Sequence, residues 1–135
     1  MSSPQDAIAR IQALARGLPG IQEAPEYPPE SISQFPFVLT YYREGNTTFE
    51  MGWRKGLHTA FCELHVSRQI LPAAIRVAMP YLDLMLDALQ NDPTLNGTVD
   101  TIVSPVTHTF GRLEFGGQEN IGWRLAVTFK LQTVE

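Results

Sequence analysis

The sequence has three histidines and a single cysteine, which are residue types that can bind a metal ion or act as a base or a nucleophile. His58 and His65 belong to one strand-like run, "LHTAFCELHV", and lie an odd number of positions apart. Alternation therefore sends them to opposite faces of the strand, and they cannot bind one metal ion together. Glu63 shares a face with His65 and could form an acid–base pair with it. A carboxylate and a histidine on one strand face are more typical of a solvated surface, which is what we expect here.

Cys62 could be a nucleophile if His58 or His108 acted as its base. A lone cysteine within an apolar strand is more often a small buried hydrophobe, and we predict that role. Ser67 and Ser104 lack the glycine-flanked elbow that positions a serine nucleophile. The sequence therefore predicts no catalytic, cofactor-binding or metal-binding residue and no enzyme activity.

Length and composition predict one soluble intracellular domain of 135 residues. With 44% hydrophobic and 10% aromatic residues, the chain can bury a core. The net charge of −4 argues against a surface that grips nucleic-acid phosphates. A single cysteine excludes an intramolecular disulfide and suits a reducing compartment. We expect neither a signal peptide nor a membrane span, because no basic start precedes an apolar run and no apolar run approaches 18 residues.

The N-terminal part divides into a helix at 1–17 and a proline-rich arm at 18–36. Ser3 before Pro4 is typical of a helix N-cap. Five of the ten prolines fall in the arm, where missing N–H groups disfavour a helix or a central strand. Apolar residues in the arm indicate that it docks on a surface of its own or a neighbouring subunit.

Residues 37–135 predict the α+β core. "FPFVLTYY", "TTFEMGW" and "LHTAFCELHV" are strand-like runs, and the turn residues "REGN" separate the first two. They predict an antiparallel meander, with Gly52 as a possible bulge. In the third run Ala60 and Leu64 lie on the better core face.

The next segment, at 70–90, has the clearest helical periodicity in the chain. Pro80 within it predicts a kink, or two helices end to end. "NDPTLNGTV" is a helix-to-strand corner, because Asp92 and Asp100 lie too far apart for a calcium loop and no glutamate closes it. After it, Pro105 marks an edge strand or bulge.

"GRLEFGGQEN" forms a hairpin tip, and "IGWRLAVTFKLQTV" is a closing strand. Its alternating apolar residues should face the core: Ile121, Trp123, Leu125, Val127, Phe129 and Leu131. Together the elements predict an α+β fold with a twisted, mostly antiparallel sheet of about four to six strands. A long kinked helix and a short N-terminal helix should pack on it.

The order of these elements resembles a known family. A kinked amphipathic helix, then "LNGTVDTI", then the hairpin "GRLEFGGQENIGWRLAVTFKLQTV" is similar to the tail terminator, or tail-completion, proteins of long-tailed bacteriophages. The resemblance covers roughly residues 35–135 and is strongest at 82–131.

The resemblance implies a structural virion protein of the tail and neck, assembled in the host cytoplasm. Such proteins form a ring, typically a homohexamer, that caps the tail-tube protein and meets the head-tail connector or head-closure protein. Genome DNA would pass through the ring without specific binding, with no membrane and no cofactor. Another neck, head-closure or minor tail protein is an alternative, and a small ligand-binding α+β domain is an alternative of a different class.

Candidate interface residues follow from this interpretation. They are polar or aromatic residues of the hairpin, the arm and the outer helix face: Arg112, Glu114, Phe115, Gln118, Glu119, Asn120, Tyr27, Phe35, Asp83 and Asp87. A second aromatic group could supply interface anchors, although half or more should be core: Tyr41, Tyr42, Phe49 and Trp53.

Overall fold

The fold is one antiparallel sheet with two helices, seen in a computed structural model that describes residues 3–30, 32, 34–68 and 72–134. The elements in chain order are α1 (Pro4–Arg16), β1 (Phe37–Glu50), β2 (Trp53–Ser67), α2 (Pro72–Gln90), β3 (Thr101–Phe115) and β4 (Gln118–Val134). The four strands lie in the order β1-β2-β4-β3. The predicted α+β class is confirmed, with the sheet at the lower end of the expected size. Helix α2 is a single element that contains Pro80, and a bend there stays a prediction.

Helix α1 begins as the sequence indicates. The Ser3 hydroxyl accepts a hydrogen bond from the Asp6 backbone N–H, and the Asp6 carboxylate accepts one from the Ser3 N–H. This reciprocal cap satisfies N–H groups that have no partner within the first turn. The buried side of the helix carries Ala7, Ile11 and Ala15, all fully buried.

Strand β1 differs from the prediction. The "REGN" segment was expected to be a turn, but β1 continues through it and pairs with β2 from Phe37 to Glu50. The extra residue is absorbed by a register shift between Tyr42 and Glu44. Pairing along the whole of β2 outweighs a local turn preference, because backbone hydrogen bonds and cross-strand contacts add up along the ladder. The turn lies instead at Met51 and Gly52, where Gly52 has φ +82°, a value that favours glycine.

The two faces of the sheet have different cover. We call the side beneath α1 and α2 the helix face and the opposite side the arm face. The predicted core residues of β4 are buried as expected, on the helix face. Four of them, Trp123, Leu125, Val127 and Phe129, pack with Ala60, Cys62 and Leu64 of β2 and with buried residues of both helices. Cys62 is fully buried, which confirms its prediction as a core residue.

The proline-rich arm lies along its own subunit. Its Gln22 N–H donates to Pro36 O at 3.0 Å, and Val38 N–H donates to Glu23 O at 2.9 Å. Ile32 is buried at 2% exposure against β1 on the arm face. Deleting residues 1–34 would remove this cover and the buried side of α1, so we expect loss of soluble folded protein. Size-exclusion chromatography of the truncated chain tests this.

The corner after α2 has a structural role. Asp92 accepts a hydrogen bond from Arg10 Nε at 2.8 Å and another from the Asn96 N–H at 2.8 Å. Leu95 is fully buried and has φ 48°. The corner thus ties α2 to α1 and directs the chain into β3.

Across residues 3–30, 32, 34–68 and 72–134, no cluster of three or more His, Cys, Asp and Glu side chains could hold a metal ion.

Strand β3 is an edge strand, as Pro105 indicated. Its pairing with β4 is interrupted between Val103 and Thr107. Proline has no N–H to donate, so this part of the ladder cannot be regular.

Within the described residues, no helix is long and apolar enough to cross a membrane.

Candidate interaction surfaces

A buried polar network occupies the arm face, at the pair that was predicted to be solvated. Glu63 is 2% exposed and His65 is 0% exposed, so that prediction is wrong. Glu63 Oε2 accepts hydrogen bonds from Tyr41 Oη at 2.6 Å and Arg124 Nε at 3.0 Å. His65 Nε2 lies 2.9 Å from Glu63 Oε1, and His65 Nδ1 lies 2.9 Å from Asn120 Nδ2. Because a carboxylate only accepts, Nε2 carries the proton and Nδ1 accepts from the amide.

The charge on Glu63 is held by these partners. Burial alone would raise the pKa of Glu63, but hydrogen bonds from His65, Tyr41 and Arg124, with the charge of Arg124, outweigh it and hold the pKa below its usual value. Burial, followed by the bond to Glu63 and its charge, raises the pKa of Tyr41 to about 12. Both groups therefore keep their ordinary charge at neutral pH.

Aromatic rings and the arm seal this network. The His65 ring has the rings of Phe37 and Phe115 at centroid distances of 5.8 and 6.2 Å. Asn120 Oδ1 is buried without a hydrogen-bond partner. With both ring nitrogens of His65 in use, Glu63 and His65 offer no atom to an outside molecule in this conformation, whereas Arg124 is 39% exposed. The network therefore holds the arm face together.

The predicted β3–β4 hairpin is only partly available as a surface. Arg112 and Glu119 are exposed, with an Arg112 nitrogen 3.8 Å from a Glu119 oxygen. Glu114 is also exposed, and Gln118 is half-buried. The remaining two candidates of this hairpin point into their own subunit: Phe115 packs on Phe37, and Asn120 is 2% exposed and bonded to His65. Alternation along the strands explains the split, because the hairpin has one covered face.

The other candidates lie apart from that hairpin. Tyr27 on the arm is 67% exposed. Phe35 is half-buried, with the Arg68 guanidinium 5.7 Å from its ring centroid. Asp83 and Asp87 are exposed on the outer side of α2. The ten predicted residues therefore do not form one surface.

The far end of the β1–β2 hairpin exposes the apolar side chains Phe49 and Met51, which are 76% and 98% exposed. We call residues 49–55 the β1–β2 tip. Phe49 was one of four aromatic residues left open between anchor and core. Met51 was not predicted, because only the position of the true turn shows that it lies at the end of the hairpin. Large exposed apolar side chains are typical of binding surfaces when they cluster.

Basic residues accompany this apolar end. Arg54 and Lys55 are exposed. A hydrogen bond from Lys130 and its charge, with a smaller effect of burial, lower the pKa of Lys55. The charge of Asp100 opposes this effect, and the basic end as a whole would still favour an acidic partner.

A groove of about 370 Å³ lies between the end of α2 and β3. We call it the α2–β3 groove. Most of its lining is apolar, and the apolar lining residues are Leu86, Leu89, Pro93, Ile102 and Val106. The register break at Pro105 lies in the middle of its β3 wall. Asp87 is exposed on α2, three positions before the lining residue Gln90, which makes the two neighbours on the helix surface.

A second groove, of about 300 Å³, lies beside the start of α1 and contains His58. The Tyr42 hydroxyl and His58 Nδ1 are hydrogen bonded at 2.9 Å. Burial lowers the pKa of His58, and burial raises the pKa of the Cys62 thiol to about 12. The suggested cysteine–histidine combination is therefore not supported, because the thiol is held protonated in the core.

No protein-family model matches this sequence, and no curated protein matches it either. Function is therefore inferred from the exposed surfaces, above all from the β1–β2 tip and the α2–β3 groove.

Proposed function

We propose that the protein is a tail terminator of a tailed bacteriophage, a structural subunit that assembles into a ring on the end of the tail tube. The observation that carries this is the β1–β2 tip, where Met51 is 98% exposed and Phe49 is 76% exposed. Side chains of this kind anchor interfaces by burial against a partner. The order of elements, similar to that of tail terminators, adds support.

The charge of the chain is compatible with this role. The net charge of −4 gives no general attraction for DNA, so a genome could pass through such a ring without being held. The exposed pair Arg112 and Glu119, with Glu114 beside them, would meet either the tube protein or the head-side connector. We also propose that the sheet is twisted and that α2 bends at Pro80. A bend would let the helix follow a twisted sheet.

The test is the mass of the purified protein by light scattering, alone and mixed with the cognate tail-tube protein. A terminator should give a closed ring of 15.1 kDa subunits, or a monomer that becomes a ring only on tube ends. Electron micrographs of polymerising tube protein should show shorter tubes when the protein is added. A monomer that neither binds tube protein nor limits tube length would contradict the proposal. Binding to another neck protein instead would favour the head-closure alternative.

A further inference from the structure

Phe49 and Met51 of the β1–β2 tip lie at the opposite edge of the sheet from the α2–β3 groove, whereas Arg54 and Lys55 of the tip pair with the end of the central strand β4. The tip belongs to β1 and β2, and β1 is one edge strand. The groove is walled by β3, which is the other edge strand. A contact between the tip of one copy and the groove of the next would therefore be heterologous. Such a contact repeats on every subunit and closes into a ring when the rotation allows it.

The apolar parts of the two surfaces are complementary. The tip offers Met51, which has almost no cover from its own subunit, and Phe49, which is 76% exposed and lines the groove beside α1. The groove offers an open volume of about 370 Å³ between apolar residues of α2 and β3. Methionine adapts to irregular gaps, and aromatic residues supply the largest buried area. Projecting side chains can therefore fill this groove without a change of the sheet.

The charges around the two surfaces are also complementary. Arg54 and Lys55 of the tip are exposed, with Glu50 as the carboxylate of the tip itself and Asp100 acting on Lys55 from outside it. At the groove, Asp83 and Asp87 are exposed on the same stretch of α2 as the lining residue Leu86. Asp83 and Leu86 are three positions apart, which makes them neighbours on a helix surface. Opposite charges at the rim of an interface favour the correct partner and fix its orientation.

The broken edge of β3 selects the kind of contact. An unbroken edge strand would invite a neighbour to add a strand by backbone pairing. Here Pro105 offers no N–H, and the pairing of β3 is irregular between Val103 and Thr107. Side-chain docking into the groove is therefore favoured over strand addition at this position.

We infer that the β1–β2 tip of one copy docks into the α2–β3 groove of a second copy, with Phe49 and Met51 in the groove and Arg54 facing Asp87. This contact rests on the proposed ring, for which it supplies the subunit interface. A monomer with one tip and one groove has both halves of the interface.

The sharpest test mixes two defective chains. The tip variant carries Phe49→Ser and Met51→Ser, and the groove variant carries Ser104→Trp, which fills the groove from an exposed position. Each variant alone should be monomeric. Their mixture should stop at a dimer of twice 15.1 kDa, because it contains one intact tip and one intact groove. Melting curves equal to that of the wild type confirm that both variants fold.

A charge exchange gives an independent test. Arg54→Glu and Asp87→Lys should each weaken assembly at least tenfold in the midpoint concentration, and the double variant should recover it. Val77→Ser serves as the control, since Val77 is a 55% exposed apolar residue of α2 that does not line the groove. It should leave assembly unchanged.

The outcomes separate this interface from the proposed function. Rings that still form from the tip variant overturn the docking contact but leave the terminator proposal intact. If those rings no longer cap tubes, the tip binds the tube protein instead, and the contact is likewise overturned. A wild-type chain that stays monomeric at every concentration, with and without tube ends, overturns both.

Discussion

Replacing Glu63 by Gln tests how much the buried network stabilises the sheet. Gln keeps the size of Glu63 but loses the charge and gains an NH₂ group. One orientation of the amide places that NH₂ against the donor nitrogen of His65, and the other places it against the guanidinium of Arg124, which can only donate. With His65 in its present tautomer, either orientation sets a donor against a donor in a site where the Glu63 side chain is 3% exposed. Relief requires His65 to move its proton to Nδ1 and Asn120 to turn its unpaired Oδ1 towards that nitrogen.

The loss of folding stability in Glu63→Gln depends on how exposed the partners of Glu63 are. Removing one partner of a buried ion pair costs about 3–5 kcal/mol. The Arg124 side chain is 39% exposed, so water can solvate part of its charge after the substitution. We therefore expect the lower end, about 3 kcal/mol. For a chain of 135 residues the entropy of unfolding is about 0.28 kcal/mol/K at the melting temperature, so Tm should fall by about 10 °C.

The sharper measurement is how the difference in unfolding free energy between the wild type and Glu63→Gln depends on pH. The pKa of Glu63 is lowered in the folded protein, so its contribution is fully present above the pKa of the unfolded chain. That contribution is lost as the pH falls through the folded pKa. Urea denaturation of the wild type and Glu63→Gln should therefore show the full gap at pH 7 and converging curves below about pH 4.

Glu114→Gln is the matched control, because Glu114 is an exposed glutamate of the same sheet. It should change the free energy of unfolding by less than about 0.5 kcal/mol. A Glu63→Gln variant as stable as this control, or a gap that stays constant from pH 7 to pH 3, would refute the assigned role of the network.

Three further predictions concern the core. Gly122→Ala should strongly destabilise the protein or prevent folding, because its Cβ would collide with the backbone oxygen of Leu64. Gly111→Ala, which has open space, should melt like the wild type, and equal melting of both variants would contradict this packing. Cys62, with its pKa raised to about 12 by burial, should react with a thiol reagent at pH 8 only as fast as the protein unfolds, whereas rapid labelling of native protein would show an accessible thiol. Trp123→Ala should lower the free energy of unfolding by about 3–5 kcal/mol, since Trp123 is 8% exposed, and an unchanged denaturation midpoint would show that the ring does not pack.

Features that depend on local chemistry could be predicted from the sequence. The cap at Ser3 needs only residues within one helical turn. The buried face of β4 follows from alternation, which holds in any strand. Pro105 indicated an irregular edge because its missing N–H has the same effect in every sheet.

Features that depend on distant cover could not be predicted. Alternation places Glu63 and His65 on one face, but it does not say that Ile32 and Phe115 come from elsewhere in the chain to bury that face. The turn predicted at "REGN" was wrong for a related reason. Its pairing partner, "LHT", follows a later turn, and pairing along the whole ribbon outweighs the local preference of four residues.

The order of the strands also governs how the chain reaches its fold. Strands β2 and β4 form the centre of the sheet, yet α2 and β3 separate them along the chain. At about 5 to 20 residues per second, a ribosome needs about 3 to 13 s to pass from the end of β2 to the end of β4. During that interval the nascent β1–β2 hairpin carries an unpaired apolar edge. Slow non-local pairing of this kind exposes a nascent chain to aggregation, so expression at low temperature or with a chaperone should raise the soluble yield.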